Sequence, residues 1–322
     1  MIRDHGRRQL SRIEFATLRF SLRFEAGFWL SWEAFSSLRR RFRELMSCLD
    51  PACARLLDEH LFPPPFTDPE MARRHRRPAP ALVLRTAPSD LRLYREKETL
   101  VLEVVFLGRG IAAITPFCRL LSELGRRGIS DGRGRFELEG AVGLDPSGQE
   151  QPVSVFELEQ PPVPLNDALW YLEGLPDPAF GLKLCFETPA RLMQGGKPLF
   201  RPDFAGIFPF ILRRVTSMIQ AHCDIDLIEK PVRLMESASE IRQSRNNLKW
   251  EDWRRLQRPG AAMEMGGLCG SLHLEGEALA QLMPVLALGQ LLQVGKGAAF
   301  GAGRLKLGDW RVVRDRAAAL RV

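Results

Sequence analysis

The chain has 322 residues and 45% hydrophobic content, more than one domain of ordinary size needs for its core, so two domains are expected. Lys and Arg number 46 against 39 Asp and Glu, a net charge of +7; arginine dominates, and its planar fork suits phosphate-bearing partners, with a solvated basic surface as the alternative. The opening MIRDHGRRQLSR has no apolar run behind its charges and FAGIFPFIL (204–212) is too short to span a bilayer, so no membrane partner and a cytoplasmic location are expected.

In chain order, FATLRFSLRFE reads as a strand, because Ala16, Leu18, Phe20, Leu22 and Phe24 alternate with Thr17, Arg19, Ser21, Arg23 and Glu25. A helix follows, with Trp32, Phe35, Leu38, Phe42, Leu45 and Met46 at helical spacing and Ser31 as its N-cap. Arg39, Arg40, Arg41 and Arg43 sit between these anchors, either as a soluble face or as a phosphate track. Six cysteines are scattered along the chain and read as free thiols; Cys48 and Cys53 do not have the spacing of a zinc knuckle, and neither a metal nor another cofactor is expected. The segment PPPFTDPEMARRHRRPAP (63–80) breaks periodicity and reads as a loop carrying Arg73, Arg74, Arg76 and Arg77. A second break, from Asp145 to about Asn166, flanks a short strand-like piece, VSVFELE. It places the domain boundary between 166 and 167, giving domains 1–166 and 167–322.

A repeat organises the rest. Residues 100–142 read as the strand LVLEVVFLG, a helix with ITPFCRLLSELG, the basic glycine loop GRRGISDGRG and the strand RFELEG. Residues 267–307 read in the same order: GLCGSLHLEG, a helix with LAQLMPVLALGQLLQ, the loop GKGAAFGAG and the strand RLKL. Each half opens with its own strand and helix, GLKLCFET and PDFAGIFPFILRRVTSMIQ in the second. The order β-α-β-β-α-β, twice, predicts an α+β chain of two tandem ferredoxin-like domains with a cleft between them.

The second glycine loop follows a helix and leads into a strand, which is the wrong context for a Rossmann turn, and Gly303 is followed by Arg304 and Leu305, which excludes a P-loop. Gly295, Gly297, Gly301 and Gly303, with Lys296 and Arg304, suit an extended phosphodiester chain; a hairpin that merely turns is the alternative. The arginines of the first loop, Arg126, Arg127 and Arg133, join Arg39, Arg40 and Arg43 as candidate contacts to such a chain.

These segments resemble a known family. FETPARLMQGGKP (186–198), the paired tryptophans of KWEDWRRLQR (249–258), MEMGGLCGSLHLEG (263–276) and VGKGAAFGAGRLKL (294–307) are similar to the C-terminal region of the CRISPR-associated repeat-RNA processing endoribonucleases, RAMP-superfamily proteins of tandem ferredoxin-like, RRM-like plan. In the first half the matches are VFLGRGIAAITPFCRLLSELGRRGISDGRGRFEL (105–138) and HLFPPPF (60–66). The resemblance implies binding of CRISPR repeat RNA and cleavage of its precursor without a metal, leaving a 2′,3′-cyclic phosphate. It also implies other CRISPR effector subunits as partners.

Family members often carry Tyr-Ser after the arginine of the tryptophan motif and a histidine just before the glycine loop, where this chain has Leu256-Gln257 and Gln293. With only two tyrosines in the chain, Tyr94 and Tyr171, the candidates for proton transfer are histidines, with water or backbone groups assisted by arginine or lysine as the alternative. His60 follows the arginine helix, where a packed position is the alternative. His222 ends a helix, where capping is the alternative, and His273 reads as lying on the open face of a strand. Trp250, Trp253 and Phe300 are candidate base-stacking surfaces, with core positions as the alternative. The alternative to an endoribonuclease is a catalytically inactive RAMP-fold subunit that retains crRNA in an effector complex.

Overall fold

The alternation at the start of the chain is realised as β1 (Glu14–Phe24), whose Ala16, Leu18, Phe20, Leu22 and Phe24 turn together into one core, as a side-chain period of two requires. The computed structural model describes residues 4–74, 78–145, 147–154, 162–175, 177–178, 181–228, 230–252 and 266–309. A short α1 (Asp4–Leu10) precedes β1; after it come β2 (Phe28–Trp29), α2 (Trp32–Met46), α3 (Pro51–Leu61), α4 (Pro69–Arg74), β3 (Leu82–Arg85), β4 (Leu93–Tyr94), β5 (Thr99–Leu107), α5 (Ile114–Arg127), β6 (Phe136–Leu144) and β7 (Glu150–Val153). Ser31 caps α2, its hydroxyl accepting from the Ala34 N–H at 3.1 Å. Part of the segment read as a loop is instead helical: Asp68 accepts from the Glu70 and Met71 N–H groups and starts α4, an N-cap that lack of apolar periodicity had hidden.

The main sheet of this first unit has the order β3-β5-β1-β6-β7, antiparallel at each step. With α2 and α5 as the two crossovers, this is a ferredoxin-like unit.

The chain then passes through β8 (Asn166–Asp167), which pairs with β1, and α6 (Ala168–Glu173) into a second unit. Most of the VSVFELE segment lies outside the described residues. The second unit comprises β9 (Leu182–Ala190), the hairpin β10 (Met193–Gln194) and β11 (Lys197–Pro198), α7 (Phe204–Cys223), α8 (Pro231–Glu240), β12 (Arg242–Asn246), β13 (Lys249–Asp252), β14 (Gly266–Glu275), α9 (Leu279–Leu292) and β15 (Leu305–Asp309). Its sheet order, β12-β14-β9-β15 with β13 also on β14, repeats the first unit's plan. The expectation of two tandem ferredoxin-like units is met.

The units are not two separate cores. Phe15, Val83, Val105 and Leu107, on the reverse face of the first sheet, belong to the second unit's core. Ala299 and Phe300, from the second unit's glycine loop, belong to the first unit's core. The continuous apolar run Val104–Leu107 reflects this, because a strand buried on both faces has no polar alternation.

Candidate nucleic-acid interface

The glycine loop is built by its neighbours. α9 is apolar around most of its circumference and ends at Gln293, whose φ of 57° already turns the chain into the left-handed region. Gln293 is buried, and with its amide oriented by its surroundings the nitrogen reaches the carbonyls of Ala298 (2.7 Å) and Ala302 (3.2 Å). Two glycines are required by contact as well as by φ. A Cβ on Gly303 (φ 62°) would overlap the Val294 carbonyl, and one on Gly301 (φ 86°) would lie 2.6 Å from the Phe35 ring.

The loop is then tied on both sides. The Thr188 hydroxyl donates to the Gly301 carbonyl (2.7 Å) and the Gly303 N–H to the Pro189 carbonyl (3.0 Å). Across the unit boundary the Leu84 N–H donates to the Ala299 carbonyl (2.9 Å). Phe300 is 5% exposed, with its ring centre 6.3 Å from that of Phe42. It is a core residue, and the stacking surface expected of it is closed.

Beside this loop the units enclose two adjoining cavities of about 330 and 250 Å³, which share Ala79, Arg214 and Gly295 in their walls. Five cationic side chains line them among the described residues: Arg39 from α2, Arg191 after β9, Arg213 and Arg214 from α7, and Lys296 from the loop. Among the described residues neither lining contains a carboxylate. Arg214 donates to the Leu292 carbonyl (3.2 and 3.4 Å), and desolvation lowers its pKa to about 10, which leaves it charged at neutral pH. Lys296 is exposed and makes no ion pair among the described residues, while its N–H donates to the Arg191 carbonyl (2.9 Å). Cations clustered around a partly desolvated space favour an anion there.

The residues expected from sequence divide between this groove and other places. Arg39, Lys296, Gly295 and Gly297 line it. Arg43 stands next to it, with its guanidinium 4.2 Å from the ring centre of Phe62, over which Arg39 also lies at 5.9 Å. Arg40 is engaged by Glu44 at 3.6 Å. Arg304 is turned onto the second sheet, where its Nε meets Glu187 at 3.0 Å. Arg126 and Arg127 both pair with the buried carboxylate of Glu123, and exposed Arg133 closes the turn with Ser130. These last three do not line the groove.

His60 and His222 come from α3 and α7 to one place, but both are buried, at 5% and 4% exposure. Neither lines the groove. His222 Nε2–H donates to the carbonyl of Ala79 (2.8 Å), and the Ala81 N–H donates to the carbonyl of His60 (2.8 Å), so both are tied to the Pro78–Ala81 segment that forms part of the wall. Burial, with added repulsion from His60, Arg214 and Arg109, outweighs the Ala79 bond and pushes His222 down to about 4. His60 is lowered in the same sense, by burial and by Arg109, against the opposing charge of Glu59. His273, expected on an open strand face, is buried instead between Lys183 on β9 and Arg245 on β12.

Sequence reasoning missed Arg191, Arg213 and Arg214. A signal was there: an Arg-Arg pair interrupts the otherwise apolar helix FAGIFPFILRRVTSMIQ, and Arg191 lies inside the FETPARLMQGGKP segment. Arg76, Arg77, Trp253, Leu256 and Gln257 lie outside the described residues. Among the described residues no group of three or more His, Cys, Asp or Glu is placed to hold a metal ion, and no helix is long and apolar enough to cross a membrane.

Residues 184–305 match the family model of the CRISPR-associated endoribonuclease Cas6, and residues 14–166 match a second model, described as an N-terminal domain. No curated protein matches the chain by sequence. Among solved structures, a Cas6 from Thermus thermophilus is 17% identical, with 92% of this chain and 99% of that one covered at a TM-score of 0.54. A Cas6 product complex is 18% identical over 91% of this chain and 99% of that one, also at 0.54. The chain in a partial Cas6-RT-Cas1–Cas2 complex is 16% identical, with 92% of this chain and 46% of that longer one covered, at 0.58. The solved structures share the tandem fold, and residues 184–305, within the second unit, carry the sequence pattern of the CRISPR-associated endoribonuclease Cas6.

Proposed function

We propose that the chain binds the repeat of a CRISPR transcript with its phosphodiester backbone along the groove and cuts the precursor into crRNA, with no metal in the chemical step. The observation that carries this is the wall of Arg39, Arg191, Arg213, Arg214 and Lys296 with no carboxylate among its described residues, set against a glycine loop whose backbone lets a polymer approach closely. Cleavage is an internal transesterification. The ribose 2′-oxygen gives up its proton to a base and bonds to the adjacent phosphorus, the bond from phosphorus to the 5′-oxygen breaks, and an acid protonates that oxygen. The product ends in a 2′,3′-cyclic phosphate.

The groove cations hold the phosphate in line and stabilise the charge that gathers on its free oxygens. His60 and His222 are the proton-transfer candidates; either one acts only if the Pro78–Ala81 segment shifts when RNA binds, since that segment separates both rings from the groove. Gln293 pegs the loop and takes no part in proton transfer. Other CRISPR subunits are the expected partners, in keeping with the Cas6-RT-Cas1–Cas2 assembly whose chain shares this fold.

The test is end-labelled repeat RNA incubated with the purified chain in excess chelator, with retention and cleavage read on the same samples. Cut RNA bearing cyclic-phosphate ends is expected, with affinity falling by about 0.7 log unit per log unit of salt for each phosphate neutralised on a single strand. Salt-dependent retention with no cutting over hours would instead make the chain a crRNA-holding subunit. Binding indifferent to salt would remove the groove from the account altogether.

A further inference from the structure

Just outside the groove one large aromatic stands open. Phe200 follows the β10–β11 hairpin, whose base is closed by the Leu199 N–H donating to the Leu192 carbonyl (3.0 Å). It is 55% exposed and belongs to neither hydrophobic core. It is nevertheless held in place: its ring centre is 4.7 Å from that of Trp250 on β13, at an interplanar angle of 53°. Trp250 lies in turn over Gly266 of β14, where a Cβ would come 2.8 Å from the indole nitrogen. The Arg191 guanidinium sits 6.0 Å from the Trp250 ring centre, and Arg191 also lines the groove, as does Met193 at the start of the hairpin. The groove wall therefore continues outward as cation, indole and phenyl ring.

We infer that Phe200, backed by Trp250, is a stacking platform for one unpaired base of the RNA whose backbone lies in the groove, an assignment that rests on the groove binding RNA. Every nucleobase has a π-face, so an open ring fixed by a second ring supplies affinity without demanding a particular sequence. The adjoining Arg191 places a phosphate-binding charge close to the same rings, so one nucleotide is held by both backbone and base. Trp250 acts through Phe200: it orients the phenyl ring and does not itself face the base.

The experiment compares the intact chain with Phe200→Ala, Phe200→Tyr and an Arg191→Ala/Lys296→Ala double variant. Each is titrated against repeat RNA and against copies of it carrying a single abasic nucleotide at successive unpaired positions. Phe200→Ala is expected to weaken binding about 5- to 100-fold with the salt dependence unchanged, and Phe200→Tyr to bind as the parent does. At the stacked position the abasic and Phe200→Ala losses should fail to add, because both remove the same contact. Parent-like binding by Phe200→Ala, or additive losses at every position, overturns the platform, and the groove stands if the double variant still loses affinity and salt dependence. If the double variant binds as the parent does, the groove reading has failed, and the platform with it.

Discussion

The two glycine loops occupy the same place in the repeated plan, between the last helix and the last strand of each unit, and they end in different environments. The first, after α5, is a turn pinned to its own unit by buried Ile129, and its Arg126 and Arg127 are paired with Glu123. The second, after α9, leaves its own unit: Phe300 enters the neighbouring core, Leu84 bonds to Ala299, and Lys296 faces a groove with no acidic side chain among its described lining residues. Position in a repeat therefore sets the backbone path. What the loop does depends on which unit it packs against and on whether a carboxylate lies within reach of its charges.

Removing the ring that joins the units should have the largest effect. Phe300→Ala is expected to cost about 3–5 kcal/mol of unfolding free energy, read by denaturant titration. A small loss would mean that the units are held by the Val83, Val105 and Leu107 face alone. Gly303→Ala should cost about 3 kcal/mol, since strain at positive φ adds to overlap with the Val294 carbonyl. In the first loop Gly132→Ala, also at positive φ but with no atom within 4 Å of the added Cβ, should cost only about 1 kcal/mol. Equal costs would erase the contrast.

The histidines behind the groove wall sharpen it through pH. Folding lowers His222 from 6.5 to about 4, so between these values the unfolded chain binds the proton and the folded chain does not. Stability is then unaffected by this group above about pH 6.5 and falls as the pH drops toward 4, by about 3 kcal/mol from His222 alone. His60 acts in the same direction. Replacing His222 with Gln should flatten the fall in melting temperature over that window; an unchanged slope would show that other groups carry it.

The smallest effects separate charge that binds from charge that is already spent. Lys296→Ala should weaken repeat-RNA binding about fivefold, close to 1 kcal/mol, with no change in melting temperature. Arg126→Ala with Arg127→Ala should do the reverse, leaving affinity within about twofold while costing about 1–3 kcal/mol of stability, because Glu123 is left buried without its partners. Titration of RNA and thermal melts on the same preparations decide between the two patterns.

Much of the fold was legible because it rests on local periodicity. Alternation showed β1, helical spacing with Ser31 showed α2, and the matching order of elements in 100–142 and 267–307 showed the repeat. The candidate site was legible only in part. Lys296 and Arg39 could be read as cations in basic stretches, but nothing near Arg304 in sequence announces Glu187, 117 positions away, and nothing near His222 announces Ala79. Arg213 and Arg214 looked like part of an apolar helix because their significance depends on a loop more than 80 positions further along the chain.

Pattern and spacing alone determined that this chain forms two βαββαβ units, because side-chain direction along a helix or strand repeats every few residues and needs no distant partner. The tertiary structure decided which charges stay available. Burial and ion pairing depend on atoms brought together across the unit boundary, and the same arginine is a ligand contact in one setting and a neutralised surface group in the other.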